Sequence, residues 1–270
     1  MCIRDRIKYL FLLTGGSFIL ASCNDFLDRE PLDSVTPDNF FFTENDLAAY
    51  AVKHYNFTTH EGFNAGIWKN DNATDNQAAT DYDKKWIPGQ WKVPEAYDNP
   101  ASNDPWYFST IREANYFLET VVPRFEKGEI EGSETNIKHY IGEMYFLRAK
   151  NYLSKLETFG DFPIIKNTLP DESESLIQAS KRAPRYKVAH FILEDLDQAI
   201  SLLTNNISGG KNRITKNAAL LLKSRAALFE ASWLTYHKGT ALVPGGPGWP
   251  GKAEDIADFN IDTEIAFFLK

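Results

Sequence analysis

Few residues of this chain combine the type and the spacing that chemistry demands, and the histidines are the first to test. His139 and Glu143 stand four apart in a segment of helical periodicity, one turn from each other, where they could share a metal ion. A lone pair with no third ligand fits a hydrogen-bonded or solvated pair better, and the same reading covers His54 and His60, so no metal site is expected. The chain has no Gly-x-Ser-x-Gly elbow, no His-Glu-x-x-His pair and no cysteine placed as a nucleophile, so no catalytic residue is assigned. Carboxylates are plentiful, but a glycosidase needs two at a defined separation, which spacing along this chain does not define. Residues 245–251 are glycine-rich, yet Pro247 and Pro250 interrupt them and no Lys-Ser/Thr pair follows. A phosphate cradle is excluded on that ground, and no cofactor is expected.

Binding chemistry is better represented. Residues 64–105 are rich in Asn, Asp, Pro and Gly but also hold Trp68, Tyr82, Trp86, Trp91 and Tyr97, an unusual aromatic load for a plain linker. An indole or phenol face can stack on the C–H face of a sugar ring while amides and carboxylates bind its hydroxyls. Trp86, Trp91 and Tyr97, with Asp75 and Asn76, are therefore candidate glycan contacts. The competing reading, that such rings pin the segment to the body, is equally open for these three and is the expectation for Trp68 and Trp106. Residues 71–76, with Asp81 and Asp83, could gather oxygens around Ca²⁺ but lack the alternating ligands and central glycine of an EF-hand. They read as a hydrogen-bonded turn cluster.

One cysteine has a role of its own. Arg4, Arg6 and Lys8 precede an apolar run over residues 9–20, and Leu20-Ala21-Ser22-Cys23 follows, the pattern of a bacterial lipoprotein signal. The run is too short to span a bilayer. Cleavage before Cys23 would leave its thiol to carry diacylglyceryl, with a further acyl chain on the new amine, and several chains anchor stably at ~0.8 kcal/mol per buried methylene. Residues 1–22 are thus read as signal peptide and residues 23–42, broken by Pro31 and Pro37 and rich in Asp, as a tether. The other cysteine, Cys2, leaves with the signal, so the mature chain has no internal disulfide. A formal net charge of -8 argues against a nucleic-acid partner, and 43% hydrophobic residues suffice for a packed core.

Helices must position whatever binds. Thr43 and Asp46 form a capping box ahead of a helix over residues 44–57. After Trp106 a second helix carries Ile111, Ala114, Asn115 and Leu118 on one face and should stop at Pro123. A third runs over residues 134–159 with Ile137, Ile141, Met144, Tyr145, Tyr152 and Leu156 as its stripe, ending at Gly160. Arg148 inside that stripe should meet a buried carboxylate or carbonyl oxygens. Residues 161–182 read as a loop, Pro184 opens the next helix, and Thr215 caps its partner, whose Ala218, Ala219, Leu222, Ala226, Phe229 and Trp233 should face inward. Trp233 is expected to be buried between helices. A last helix is expected over residues 252–270, with Ile261, Ile265, Phe267, Phe268 and Leu269 left as an unpartnered apolar surface. Successive helix pairs give a mainly α, tetratricopeptide-like architecture, a right-handed superhelix with long irregular loops over residues 43–270.

These segments in this order resemble the SusD/RagB-like family. Cys23-Asn24-Asp25-Phe26-Leu27-Asp28 with Pro31 resembles its lipidated start, and Trp106 with Ile111, Ala114 and Asn115 its first helix. The most specific stretch is Gly142-Glu143-Met144-Tyr145-Phe146-Leu147-Arg148-Ala149, then Tyr152-Leu153 and Phe159-Gly160-Asp161-Phe162-Pro163. Asp195-Leu196-Asp197, Arg213-Ile214-Thr215-Lys216 and Trp249 with Lys252-Ala253 extend the similarity. The resemblance implies a non-enzymatic, lipid-anchored protein exposed on the outer membrane, which binds oligosaccharide nutrients and passes them to a SusC-like TonB-dependent transporter. It also implies a longer chain, of which these residues are the N-terminal part. The alternative is a helical-repeat lipoprotein that scaffolds protein partners.

Overall fold

In a computed structural model of the protein, residues 40–55, 57, 106–207 and 212–270 are described. The chain divides into two compact units, Met1–Phe40 and Phe41–Lys270, and every element named below belongs to the second. The described residues form helices α1 (Glu44–Lys53), α2 (Ser109–Glu126), α3 (Glu134–Phe159), α4 (Ser173–Ala179), α5 (Arg185–Leu202), α6 (Lys216–Tyr236) and α7 (Ile261–Phe268), and they contain no strand. Only isolated bridges join extended residues: Thr43 to Glu131, parallel, and Phe162 to Ala183, antiparallel.

The capping signals in the sequence operate as read. Thr43 Oγ1 accepts the Asp46 amide at 3.3 Å while Asp46 Oδ2 accepts the Thr43 amide at 2.9 Å, closing the box at the start of α1. Thr215 Oγ1 accepts the Ala218 amide at 3.3 Å, and α3 ends at Gly160, φ 71°, with the Gly160 amide donating to the Leu156 carbonyl. α2 runs past Pro123 to Glu126 rather than stopping there, because the Lys127 amide donates to the Pro123 carbonyl and completes the final turn. α1 ends at Lys53, short of the expected residue 57. α4 lies within what reads as a loop, and none of its residues is buried, so no apolar stripe announces it. The expected last helix is split into a 3₁₀ turn (Ala253–Ile256) and α7, because the Asn260 side chain accepts the Asp262 and Thr263 amides and starts a new helix.

Each long helix packs on the next: α2 on α3, α3 on α5, α5 on α6 and α6 on α7, with α1 also on α3. α3 is the centre, burying Ile137, Ile141, Met144, Tyr152 and Leu156, while α5 answers with Val188, Ile192 and Leu196. Gly142 sets how closely they approach. A Cβ there would lie 3.0 Å from Leu203 Cγ and 3.1 Å from Leu202 Cβ, tight contacts that would require these leucines to give way slightly. At the other end Phe41 adopts φ 70°, a left-handed conformation that costs a non-glycine residue ~1–3 kcal/mol. Its ring is fully buried, edge-on to Tyr50 at 5.1 Å and to Phe117 at 5.3 Å, a burial worth a similar amount.

Two packing expectations are corrected. α6 buries Ala219, Ala226, Glu230, Ala231 and Leu234, whereas Trp233 and Phe229 are only half-buried, so Trp233 is not a ring enclosed between helices. At the C-terminal end Phe268 is buried, with its ring 5.0 Å from His190, so part of the surface expected to lack a partner has one, although Phe267 and Leu269 remain exposed.

Candidate functional site

The residues nominated from sequence as site residues, Cys23, Asp75, Asn76, Trp86, Trp91 and Tyr97, lie outside the described residues, as do Trp68, His60 and the turn cluster at 71–76. What the described residues provide is a set of buried ionic ties and several surface clefts, two of which lie beside the end of α3.

The ionic ties are structural. Glu143 and His139 are fully buried on α3. Glu143 Oε1 accepts the Tyr55 hydroxyl at 2.7 Å and Arg213 Nε at 2.8 Å, and Oε2 accepts Arg213 Nη2. The Thr204 amide donates to His139 Nδ1 at 3.2 Å, so the neutral ring carries its proton on Nε2, 3.1 Å from Glu143 Oε1. The carboxylate is saturated by donors, and the pair is hydrogen-bonded rather than poised for a metal. Arg148 meets both of its expected partner types: Nε and Nη2 grip Asp195 at 2.8 and 2.7 Å, and Nη1 reaches Asn115 Oδ1 at 2.9 Å and the Lys166 carbonyl at 3.3 Å. Arg185 forks onto Glu230 in the same way, at 3.0 and 2.8 Å. Burial pushes the Asp195 and Glu230 carboxyls above the usual range, against the pull of their arginines. The three buried carboxylates Glu143, Asp195 and Glu230 thus each answer an arginine, and none is placed for acid–base work.

The two clefts beside the end of α3 flank Phe159-Gly160-Asp161-Phe162-Pro163, the ridge that follows it. The first, about 280 Å³, is lined by Trp106, Phe108, Ile111, Asn115, Pro163 and Ile165 among others. It is apolar, and the Asn115 amide on its wall already donates to the Ile165 and Asn167 carbonyls at 2.8 and 3.3 Å. Trp106 stands edge-on to Phe159 and Phe162, each at 4.9 Å, the pinning role expected of it.

The second cleft, about 300 Å³, lies between the end of α3, the start of α5, the last turns of α6 and the loop before the 3₁₀ turn, and Trp233, Trp249, Arg182, Glu157 and Thr158 line it. Its two indoles are fixed. Trp249 Nε1 donates to Asp161 Oδ2 at 2.9 Å, while Asp161 Oδ1 accepts the Arg185 amide at 2.8 Å. The Trp249 ring lies so close over Gly251 that a Cβ there would come within 2.2 Å of it. Trp233 Nε1 donates to the Leu242 carbonyl at 3.0 Å, and its ring sits 4.2 Å from the Arg185 guanidinium and 4.3 Å from His237. Arg182 borders this cleft and also stands 4.8 Å from the Trp106 ring, linking the two sides of the ridge. With both indole N–H groups engaged, the cleft offers a ligand apolar ring surface, and Glu157, Thr158 and Arg182 stand exposed on its rim. That combination suits a polyhydroxylated ring, whose C–H face is apolar and whose edge is polar.

A family model described as SusD-like, starch-binding and associating with the outer membrane matches residues 25–228. The chain belongs to this SusD-like family. SusD-like protein P2 of Formosa agariphila is 25% identical over 98% of this chain and 47% of its own length, and SusD-like protein P38 of the same organism is 27% identical over 73% and 37%. The chain therefore spans about half or less of the length of these relatives. A solved SusD-like protein from Bacteroides fragilis superposes on 76% of this chain and 38% of its own with a TM-score of 0.52 at 23% identity, which establishes a common mainly helical, tetratricopeptide-like fold. The SusD-like motif at residues 142–163 acquires a physical explanation here: Gly142 admits α5, Glu143 and Arg148 anchor two ionic ties, and Asp161 orients Trp249.

Sequence reasoning did not nominate Trp233, Trp249 and Asp161 as neighbours. Trp249 lies among glycines and prolines that read only as a loop, and nothing in the spacing ties it to Asp161, 88 residues earlier.

Proposed function

We propose that this SusD-like chain is the helical part of a non-enzymatic surface lipoprotein, anchored to the outer membrane through Cys23, which binds oligosaccharide nutrients and delivers them to a SusC-like TonB-dependent transporter. The family match over residues 25–228 carries this reading. The lipid anchor rests on residues 20–23, and among the described residues no helix is long and apolar enough to cross a membrane. Glycan contact is assigned to Trp86, Trp91, Tyr97, Asp75 and Asn76 from their chemistry, and the Trp233–Trp249 cleft supplies a further surface suited to a sugar ring.

Native gels cast with starch, laminarin, xylan or pectin test the binding. Retardation of the full-length protein by at least one of them, lost in a Trp86→Ala, Trp91→Ala, Tyr97→Ala variant of unchanged far-UV circular dichroism, is the expected result. Migration unaltered in all four would sink the glycan reading. For the anchor, cells grown on labelled palmitate should label the wild type and not Cys23→Ala, and label retained by the Ala variant would refute lipidation at that thiol.

A further inference from the structure

The first cleft, beside Trp106, has no part in the glycan reading, and its chemistry is unlike that of the second. Trp106, Phe108, Ile111, Ile165, Leu169 and Leu176 line it with ring and aliphatic surface around a space of about 280 Å³. Asn115 on its wall is engaged at both ends, its amide by the Ile165 and Asn167 carbonyls and its Oδ1 by Arg148 Nη1. A sugar ring placed here would leave most of its hydroxyls without partners, which costs more than the apolar contact returns. The cleft therefore suits an apolar body, and a space just below the ~300–1,000 Å³ of drug-sized pockets suits a small one. Trp106 and Phe108 stand edge to face, 79° apart with centroids at 6.2 Å, an arrangement that an aromatic guest can extend.

One group on the wall is charged. Among the described residues that line the cleft, Arg112 is the sole ionic side chain and no carboxylate appears. Arg112 is exposed and makes no ion pair among the described residues. The acids nearest to it along α2 are occupied elsewhere: Glu113 faces Lys53 at 3.7 Å and His54 at 3.5 Å, and Glu119 accepts the Thr168 amide and hydroxyl. Arg182 adds a second positive charge, 4.8 Å from the ring of Trp106. An apolar hollow that carries a guanidinium and no acid is complementary to an anion borne on an apolar body, and a carboxylate matches the guanidinium fork in shape as well as in charge.

We propose that the cleft beside Trp106 binds a small aromatic carboxylate, its ring against Trp106, Phe108 and Ile111 and its carboxylate on Arg112. This is a different cleft from that of Trp233 and Trp249, and the assignment does not depend on the glycan reading.

Calorimetric titration of the full-length protein, kept soluble by Cys23→Ala, with trans-cinnamate, cinnamyl alcohol and acetate separates the parts of the claim. Cinnamate should bind with a Kd on the order of 0.1–1 mM, as fits a ligand of its size. Cinnamyl alcohol has the ring without the charge and acetate the charge without the ring, and each should bind at least about tenfold more weakly. Arg112→Gln should weaken cinnamate about tenfold, while Arg225→Gln, an equally exposed arginine on α6, should leave it unchanged. Circular dichroism checks that both variants fold, and the comparison of the three ligands on the parent protein needs no variant. Absence of heat with cinnamate would overturn the proposal. Cinnamyl alcohol binding as tightly would make the cleft a plain apolar hollow, and acetate binding as tightly would reduce it to a surface anion contact. Cinnamate affinity unchanged in Arg112→Gln would put the acid elsewhere. Each of these three results also overturns the proposal.

Discussion

Arg148 sits among apolar side chains on α3, and its value lies in what it would leave behind. Asp195 is buried with it, so removing the guanidinium strands a carboxylate that burial has already pushed toward its neutral form. Arg148→Ala should lower the unfolding free energy by ~3–5 kcal/mol, whereas the double change Arg148→Met with Asp195→Leu should cost less than either Arg148→Ala or Asp195→Ala alone. Additive losses in urea titrations of the set would show that the pair is not the source. A second residue-scale effect concerns pH. Tyr152 is fully buried, donating to the Ile165 carbonyl at 3.2 Å and accepting its amide at 2.8 Å, and burial pushes its phenol from 10.0 up to about 12. Burial raises Tyr50 and Tyr55 as well. The unfolded chain releases these protons near pH 10 while the folded one holds them, so their stabilising contribution is complete below pH 10 and is lost as pH rises through the folded values. For Tyr152 alone the loss is ~2–3 kcal/mol by pH 12. Stability measured by urea denaturation should therefore fall steeply from pH 10 upward, and a flat profile to pH 12 would contradict the burial of these phenols.

At the scale of the helix, what could be read in advance was what local physics controls. Thr43 with Asp46, Thr215 and Gly160 act within a single turn, so their sequence signatures place three helix ends correctly. α4 escaped because seven residues, none of them buried, carry no stripe, and the continuation of α2 past Pro123 escaped because a proline signals a stop while the Lys127 amide still closes the final turn on the Pro123 carbonyl. The facing of α6 was read only in part: Ala219 and Ala226 are buried as expected while Phe229 and Trp233 are half-buried, because alanines and leucines spread over much of the helix leave the centre of its apolar stripe poorly defined. What fixes that centre is Glu230, a carboxylate drawn inward by Arg185. Trp233 is consequently half-buried, and Trp233→Ala should cost about 1–2 kcal/mol, short of the ~3–5 of an enclosed ring. A loss above 3 in urea would restore the enclosed reading. The second cleft was invisible for a different reason, since the Asp161–Trp249 bond joins loops far apart in sequence. At the α3–α5 crossing, Gly142→Ala should cost ~1–3 kcal/mol by overpacking against Leu202, Leu203 and the Ala199 carbonyl, visible as a lowered melting temperature; an unchanged or raised one would mean the helices separate freely.

For the molecule as a whole, packing that runs from neighbour to neighbour predicts a graded response rather than one uniform protection. Amides of α3 and α5, flanked on two sides, should exchange slowest, and those of α4, with no buried residue, fastest. Hydrogen exchange that protects α4 as strongly as α3 would contradict this order. The same continuity gives Phe41 a mechanical meaning. It is the first residue of the helical unit, so tension drawn along the chain from an anchor at Cys23 would enter the body there. The load would not fall on a fraying helix end. It would be shared by a ring wedged between Tyr50 and Phe117 and by the bonds from the Glu131 amide to the Phe42 carbonyl and from the Glu44 amide to the Glu131 carbonyl. A left-handed residue whose own ring is buried works as a knot in a rope does, holding the pull at the edge of the helical unit.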